Sequence, residues 1–145
     1  MNLLERIVVH HSASLWGTVE EIRKWHLEKG WRDIGYNLVI YNGYTEYKGK
    51  YHPELDGRLF VGRGLDLDMY ISPKEIGAHT LGYNRTSFGI CHIGKAEPTP
   101  KQLITLGLVC KLYKRIVPTV EIGGHSDYNN TSCPGWNVKE WAKKL

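Results

Sequence analysis

The sequence predicts an α/β fold in which a central mixed β-sheet is flanked by helices. Three observations carry that expectation. Short runs rich in β-branched and aromatic residues, Arg6–His11, Tyr36–Tyr41 and Phe88–Ile93, read as strands. Segments of helical periodicity lie between and after them, opened by capping residues. Strands and helices alternate along the chain, the pattern of helices covering a sheet. The 145 residues, 41% hydrophobic and 23% charged, suffice for one core, so a single domain spanning 1–145 is expected.

Each element follows from local chemistry. Arg6–His11 (RIVVHH) is the first strand. Thr18 opens a helix as the cap of a capping box, with Glu21 three residues on, and Val19, Ile22, Trp25 and His26 share its apolar face until Gly30 ends it. Tyr36–Tyr41 is the second strand, closed by the Asn42-Gly43 turn. Tyr44–Leu55 is polar and aromatic, a short hairpin or an ordered surface loop, and Asp56-Gly57 turns the chain into a strand at Arg58–Gly62. Arg63–Ile76 is a connection with a short helix expected from Ser72-Pro73, and Phe88–Ile93 is a buried strand.

Thr99 caps a helix that begins at Pro100 and runs to about Val117. Leu103, Ile104, Leu106, Leu108, Val109 and Leu112 make it apolar nearly all round, so it is expected to be deeply packed. Val120–Gly123 is a short strand, Gly124–Gly135 a loop, and Val138–Leu145 a closing helix that carries Trp141.

Composition excludes several classes. No apolar stretch approaches the ~20 residues of a membrane span, and Glu5 and Arg6 follow Leu3-Leu4 at once, leaving no apolar core for a secretory leader. A chain made in the cytoplasm and without membrane insertion is therefore expected; a monomer is expected as well. The net charge of +4 suits an acidic partner without selecting one, and the dispersed Lys and Arg residues argue against a nucleic-acid binder. Three widely spaced cysteines do not form a disulfide framework; Cys91 and Cys110 read as core residues.

The histidines hold the chemistry. His10 and His11 end the first strand, His79 lies in a Gly-Ala-His turn, His92 sits in a buried strand, and His125 precedes Cys133 in the last long loop. Two imidazoles and a thiolate suit zinc, and three protein ligands leave one tetrahedral position for water. His10 and His11 point to opposite faces of their strand, so at most one faces a given site, and alternation does not say which. Tyr36, taken alone, reads as a core or rim residue.

Five segments, in order, carry a resemblance. They are IVVHHSAS (Ile7–Ser14), WRDIGYNLVI (Trp31–Ile40), DGRLFVGRG (Asp56–Gly64), GAHTLGYNRTSFGICHIG (Gly77–Gly94) and GGHSDYNNTSCPGW (Gly123–Trp136). Together the chain resembles the zinc-dependent N-acetylmuramoyl-L-alanine amidases of the phage-lysozyme and peptidoglycan-recognition-protein type. The resemblance implies a peptidoglycan-recognition-protein-like fold and one zinc ion per chain, held by His10, His125 and Cys133. It implies Tyr36 as a catalytic residue. Phage members often carry a lysine two residues before the ligand cysteine and recognition proteins a threonine; Thr131 stands there, which favours the threonine-type site. Asp127 is read as a loop organiser, and His79 and Asn84 match a segment lining the substrate groove.

The activity so implied is hydrolysis of the amide between N-acetylmuramic acid and L-alanine in peptidoglycan, by an endolysin-type enzyme acting on the cell wall. The alternative is a non-catalytic peptidoglycan-binding module; such members usually lose the ligand cysteine, which is present here. The segment Asn42–Leu55 is longer than the family's usual short turn and has no role implied by the resemblance.

Overall fold

The structure, a computed structural model, describes residues 1–64 and 66–145. Its strands are β1 (Asn2–Leu3), β2 (Arg6–His11), β3 (Leu38–Ile40), β4 (Leu59–Val61), β5 (Tyr70–Ile71), β6 (Ser87–His92) and β7 (Glu121–Gly124). Its helices are α1 (Val19–Glu28), α2 (Pro100–Ile116) and α3 (Val138–Ala142). Five strands form the main sheet in the order β4-β3-β6-β2-β7. β2 runs parallel to β6 and β7, β3 runs parallel to β6, and β4 closes the edge antiparallel, so the sheet is mixed as expected. The two-residue β1 and β5 pair apart as a small antiparallel ribbon, too short for sequence periodicity to announce.

Register assigns the faces. Ile7 lies beside Phe88 and Ile122, Val9 beside Ile90, and Leu38 beside Ile90, all pointing to one side. There they meet Leu106, Cys110 and Tyr113 of α2 in a continuous core. The intervening positions, Val39 and Cys91, point the other way and pack with Val19 and Ile22 of α1 and with Ile34. His10, the register partner of Cys91, shares this second face.

The helix caps form where the sequence places them. Thr18 accepts a hydrogen bond from Glu21 N at 3.1 Å. Thr99 and Gln102 complete a reciprocal capping box ahead of Pro100. Gln102 is itself buried and donates to Ile40 O and Ile93 O, tying α2 to the ends of β3 and β6.

Three expectations need correction. α2 buries one face only: Ile104, Leu108 and Leu112 remain 64%, 63% and 42% exposed. Their four-residue spacing forms an outward stripe, because apolar content without an angular pattern does not specify all-round packing. No helix begins at Ser72-Pro73; the residues there form a turn. The buried Glu75 carboxylate accepts from Ser72 N and Asp66 N, so these amides are satisfied without a helix. Leu65, within the same connection, lies outside the described residues. The last helix is also shorter than expected, ending at Ala142.

Candidate metal and active site

The second face of the sheet changes character along its width. Val8 has glycine on both sides in register, Gly89 on β6 and Gly123 on β7. A Cβ on Gly89 would lie 2.5 Å from the His79 ring, and one on Gly123 would lie 2.7 Å from the Tyr128 hydroxyl. The missing side chains therefore give two rings room to lie close against the strands.

His10 is 1% exposed and stands at the edge of this space. Its Nε2 lies 2.9 Å from His79 Nδ1, and its Nδ1 lies 3.8 Å from Cys133 Sγ. His125 follows β7 directly, and its Nε2 lies 2.9 Å from Asn129 Oδ1. His10, His125 and Cys133 offer ligand atoms that all lie within 4.8 Å of one another. Of the residues expected to hold a metal, the structure thus brings all three together.

This donor set fits zinc in type and in surroundings. One nitrogen of each imidazole is engaged by a neighbour, His79 for His10 and Asn129 for His125, which fixes the rings and leaves the other nitrogen for an ion. Burial lowers the pKa of His10 well below the ordinary range, with His79 and His125 adding to the effect, so its lone pair is free near neutrality. Burial pushes the Cys133 thiol up, opposed by the His11 N–H that points at its sulfur from 3.4 Å. A buried thiol of this kind becomes a thiolate when a cation sits beside it.

The loop that supplies two of the donors is organised by its own side chains. Asp127 accepts from Gly124 N at 2.8 Å, as expected of a loop organiser. Ser126 N bonds Cys133 O, closing the loop across its mouth. Thr131 Oγ1 accepts from Cys133 N at 3.3 Å, which leaves its own O–H free to donate.

Tyr36 lies just before β3, with its ring 5.2 Å from His10 and 5.4 Å from His26. Its hydroxyl is buried close to Cys91. Burial, then the neighbouring Cys91 and Cys133, raise its pKa well above the phenol range. It is therefore a proton donor at neutral pH. Asn84 accepts from His79 N and Thr80 N, shaping the turn that presents His79. His79, Asn84, Trp31, His125 and Asn129 line a depression of about 390 Å³ beside the ligand cluster.

Sequence reasoning did not find Asn129, nor the contact between His79 and His10. The glycine in the middle of β6 is the signal that a ring approaches there; nothing local marks Asn129. His11 lies on the opposite side of the sheet from His10, its ring 6.4 Å from that of His92, and Trp136 Nε1 donates to His92 Nε2 at 3.0 Å.

Comparison with known proteins identifies the family. The profile of the N-acetylmuramoyl-L-alanine amidase family matches residues 2–136. The endolysin of Enterobacteria phage K11 is 32% identical over 133 residues, covering 86% of this chain and 74% of the phage protein. The solved N-acetylmuramoyl-L-alanine amidase LysC from Clostridium intestinale URNW superposes with a TM-score of 0.77 at 25% identity, covering 99% of this chain and 85% of LysC. The ectodomain complex of peptidoglycan recognition proteins LCa and LCx, solved with bound tracheal cytotoxin, gives a TM-score of 0.73 at 28% identity over 100% of this chain and 84% of the matched chain. This chain belongs to the N-acetylmuramoyl-L-alanine amidase family and is an amidase of that family.

Proposed function

We propose that this chain is a zinc-dependent hydrolase of the amide bond between the lactyl group of N-acetylmuramic acid and L-alanine in bacterial peptidoglycan, acting on the cell wall in the manner of an endolysin. The observation that carries the reading is the convergence of His10, His125 and Cys133 within 4.8 Å. A zinc ion held by these residues would lower the pKa of a bound water toward ~7 and polarise the scissile carbonyl.

The chain's own residues supply the rest. Tyr36 keeps its proton at neutral pH and donates to the carbonyl oxygen as negative charge develops there. Thr131, whose oxygen already accepts from Cys133 N, keeps its O–H free to donate to the carbonyl oxygen as well. His79 holds His10 from behind, and with Asn84 it lines the depression that takes substrate beside the ligands. Hydrolysis places hydroxyl on the lactyl carbonyl carbon and a proton on the departing amine, releasing a peptide with a free L-alanine amino terminus.

Digestion of purified peptidoglycan, scored for new amino termini and new reducing sugar ends with and without a zinc chelator, tests this reading. The expected result is L-alanine amino termini that disappear on chelation, with no reducing ends. Binding to the polymer with release of neither product would make the chain a recognition module instead.

A further inference from the structure

The segment Asn42–Leu55, longer than the family's usual turn, builds a second cleft. Asn42 Nδ2 donates to Leu15 O at 2.9 Å, and Gly17 N donates to Tyr44 O at 2.9 Å. These bonds clamp the segment to the loop between β2 and α1, and a backbone bridge between Tyr44 and Tyr51 braces it internally. Between the two loops lies a cleft of about 730 Å³, larger than the depression beside His79. It falls within the size range of small-ligand sites.

Its lining is specific. Trp16, Tyr44 and Tyr47 supply aromatic rings, while Ser14, Lys48 and Lys95 supply polar groups around them. Tyr47 is 70% exposed although it sits on an anchored loop, with its ring 6.4 Å from Trp16. Among the described residues, two non-glycine positions have left-handed backbone, Ala13 at φ 60° and Lys48 at φ 54°, and both line this cleft. L-residues take that conformation at a steric cost, and such positions gather where a loop is held in shape for a ligand.

The cleft is also placed relative to the candidate metal site. Its walls follow the C-terminal ends of β2, β3 and β6, the same edge of the parallel strands at which His10 lies near the end of β2 and His125 follows β7. Lys95 O lies 3.4 Å from where a Gly135 side chain would begin, two residues past Cys133. The cleft therefore opens at the same edge of the sheet as the ligand cluster.

We propose that this cleft is a carbohydrate subsite, holding a sugar ring of the glycan strand beyond the scissile amide. The proposal rests on the amidase reading and extends it along the polymer. Flat rings offer an apolar surface to the C–H face of a pyranose, and the hydroxyl, amide and ammonium groups around them meet its polar rim.

The test uses Tyr47→Ala, whose exposed ring supports little of the fold, with Trp16→Ala as a second variant. Affinity for glycan strands freed of stem peptides is measured beside hydrolysis of a monomeric N-acetylmuramoyl-peptide. The expected result is a loss of glycan affinity of about tenfold or more, the scale of an aromatic contact at a binding hot spot. Hydrolysis of the monomer stays within about twofold, and KM for the polymer rises without a matching fall in kcat. Unchanged glycan affinity in both variants overturns the proposal. So does an equal loss on the monomer, which would make the segment a support of the metal site, or a loss confined to peptide binding. If the unaltered chain binds glycan through Tyr47 yet cleaves neither substrate, the amidase reading fails and the subsite stands.

Discussion

The face of the sheet beneath α2 and the face that carries His10 are built from the same strands and differ by one residue of register. Beneath α2 the inward positions, Ile7, Val9, Leu38, Phe88 and Ile90, are large, apolar and buried without interruption. On the opposite face the apolar positions Val39 and Cys91 give way to His10, Gly89 and Gly123. One side is filled by its own side chains; the other is left open by glycine and filled by rings from loops. The lesson is that the continuous face holds the strands in register, and that register alone decides which histidine of the His10-His11 pair reaches the site.

Substitutions on the two faces should separate activity from stability. Cys133→Ser should give the largest effect, a loss of hydrolysis on the order of a thousandfold or more, because the charge stabilisation of the proposed ion would be worth several kcal/mol. Bound zinc per chain falls with it, while the denaturant midpoint measured without metal stays close to that of the parent. A large fall in that midpoint would mean that the two faces are not separable. Phe88→Ala, on the continuous face, should cost about 3–5 kcal/mol in denaturant unfolding. Activity per folded molecule should be retained, and its loss would show that the core face shapes the site directly.

Tyr36→Phe removes one donated hydrogen bond and should slow turnover about a hundredfold with zinc still bound. Unchanged turnover would remove Tyr36 from the reaction. The smallest effect concerns acid. Burial, reinforced by Lys29 and Arg63, lowers His26 to about 4, and Gly35 N donates to its Nδ1 at 2.8 Å. The unfolded chain, with an ordinary histidine near 6.5, binds more protons between these values. The contribution of His26 is therefore complete above about pH 6.5 and is lost as pH falls toward 4. Thermal midpoints of His26→Gln, which keeps an acceptor and loses the titration, should depend less on pH across that window.

Much of this was legible in the sequence because it rests on short-range chemistry. Thr18 and Thr99 announce their helices by capping, and the alternation in RIVVHH announces a strand with two unlike faces. The expected ligands required the resemblance, since alternation treats His10 and His11 alike. What escaped notice depends on contacts between distant segments. The imidazole of His79 against His10, the amide of Asn129 against His125 and the carboxylate of Glu75 in place of a helical turn are each made by chain closure. The outward stripe of α2 escaped because apolar count was read without its angle.

Cys133 and His10 are 123 positions apart, yet their sulfur and nitrogen lie 3.8 Å from each other. Any ion gripped by both would fasten the second strand to the last loop and so cross-link nearly the whole chain. An unfolded chain has no such pairing to offer, so the binding energy of the ion adds to the stability of the assembled sheet. The metal would then serve as a fastener as well as a reagent, and its removal would lower the thermal midpoint along with the activity.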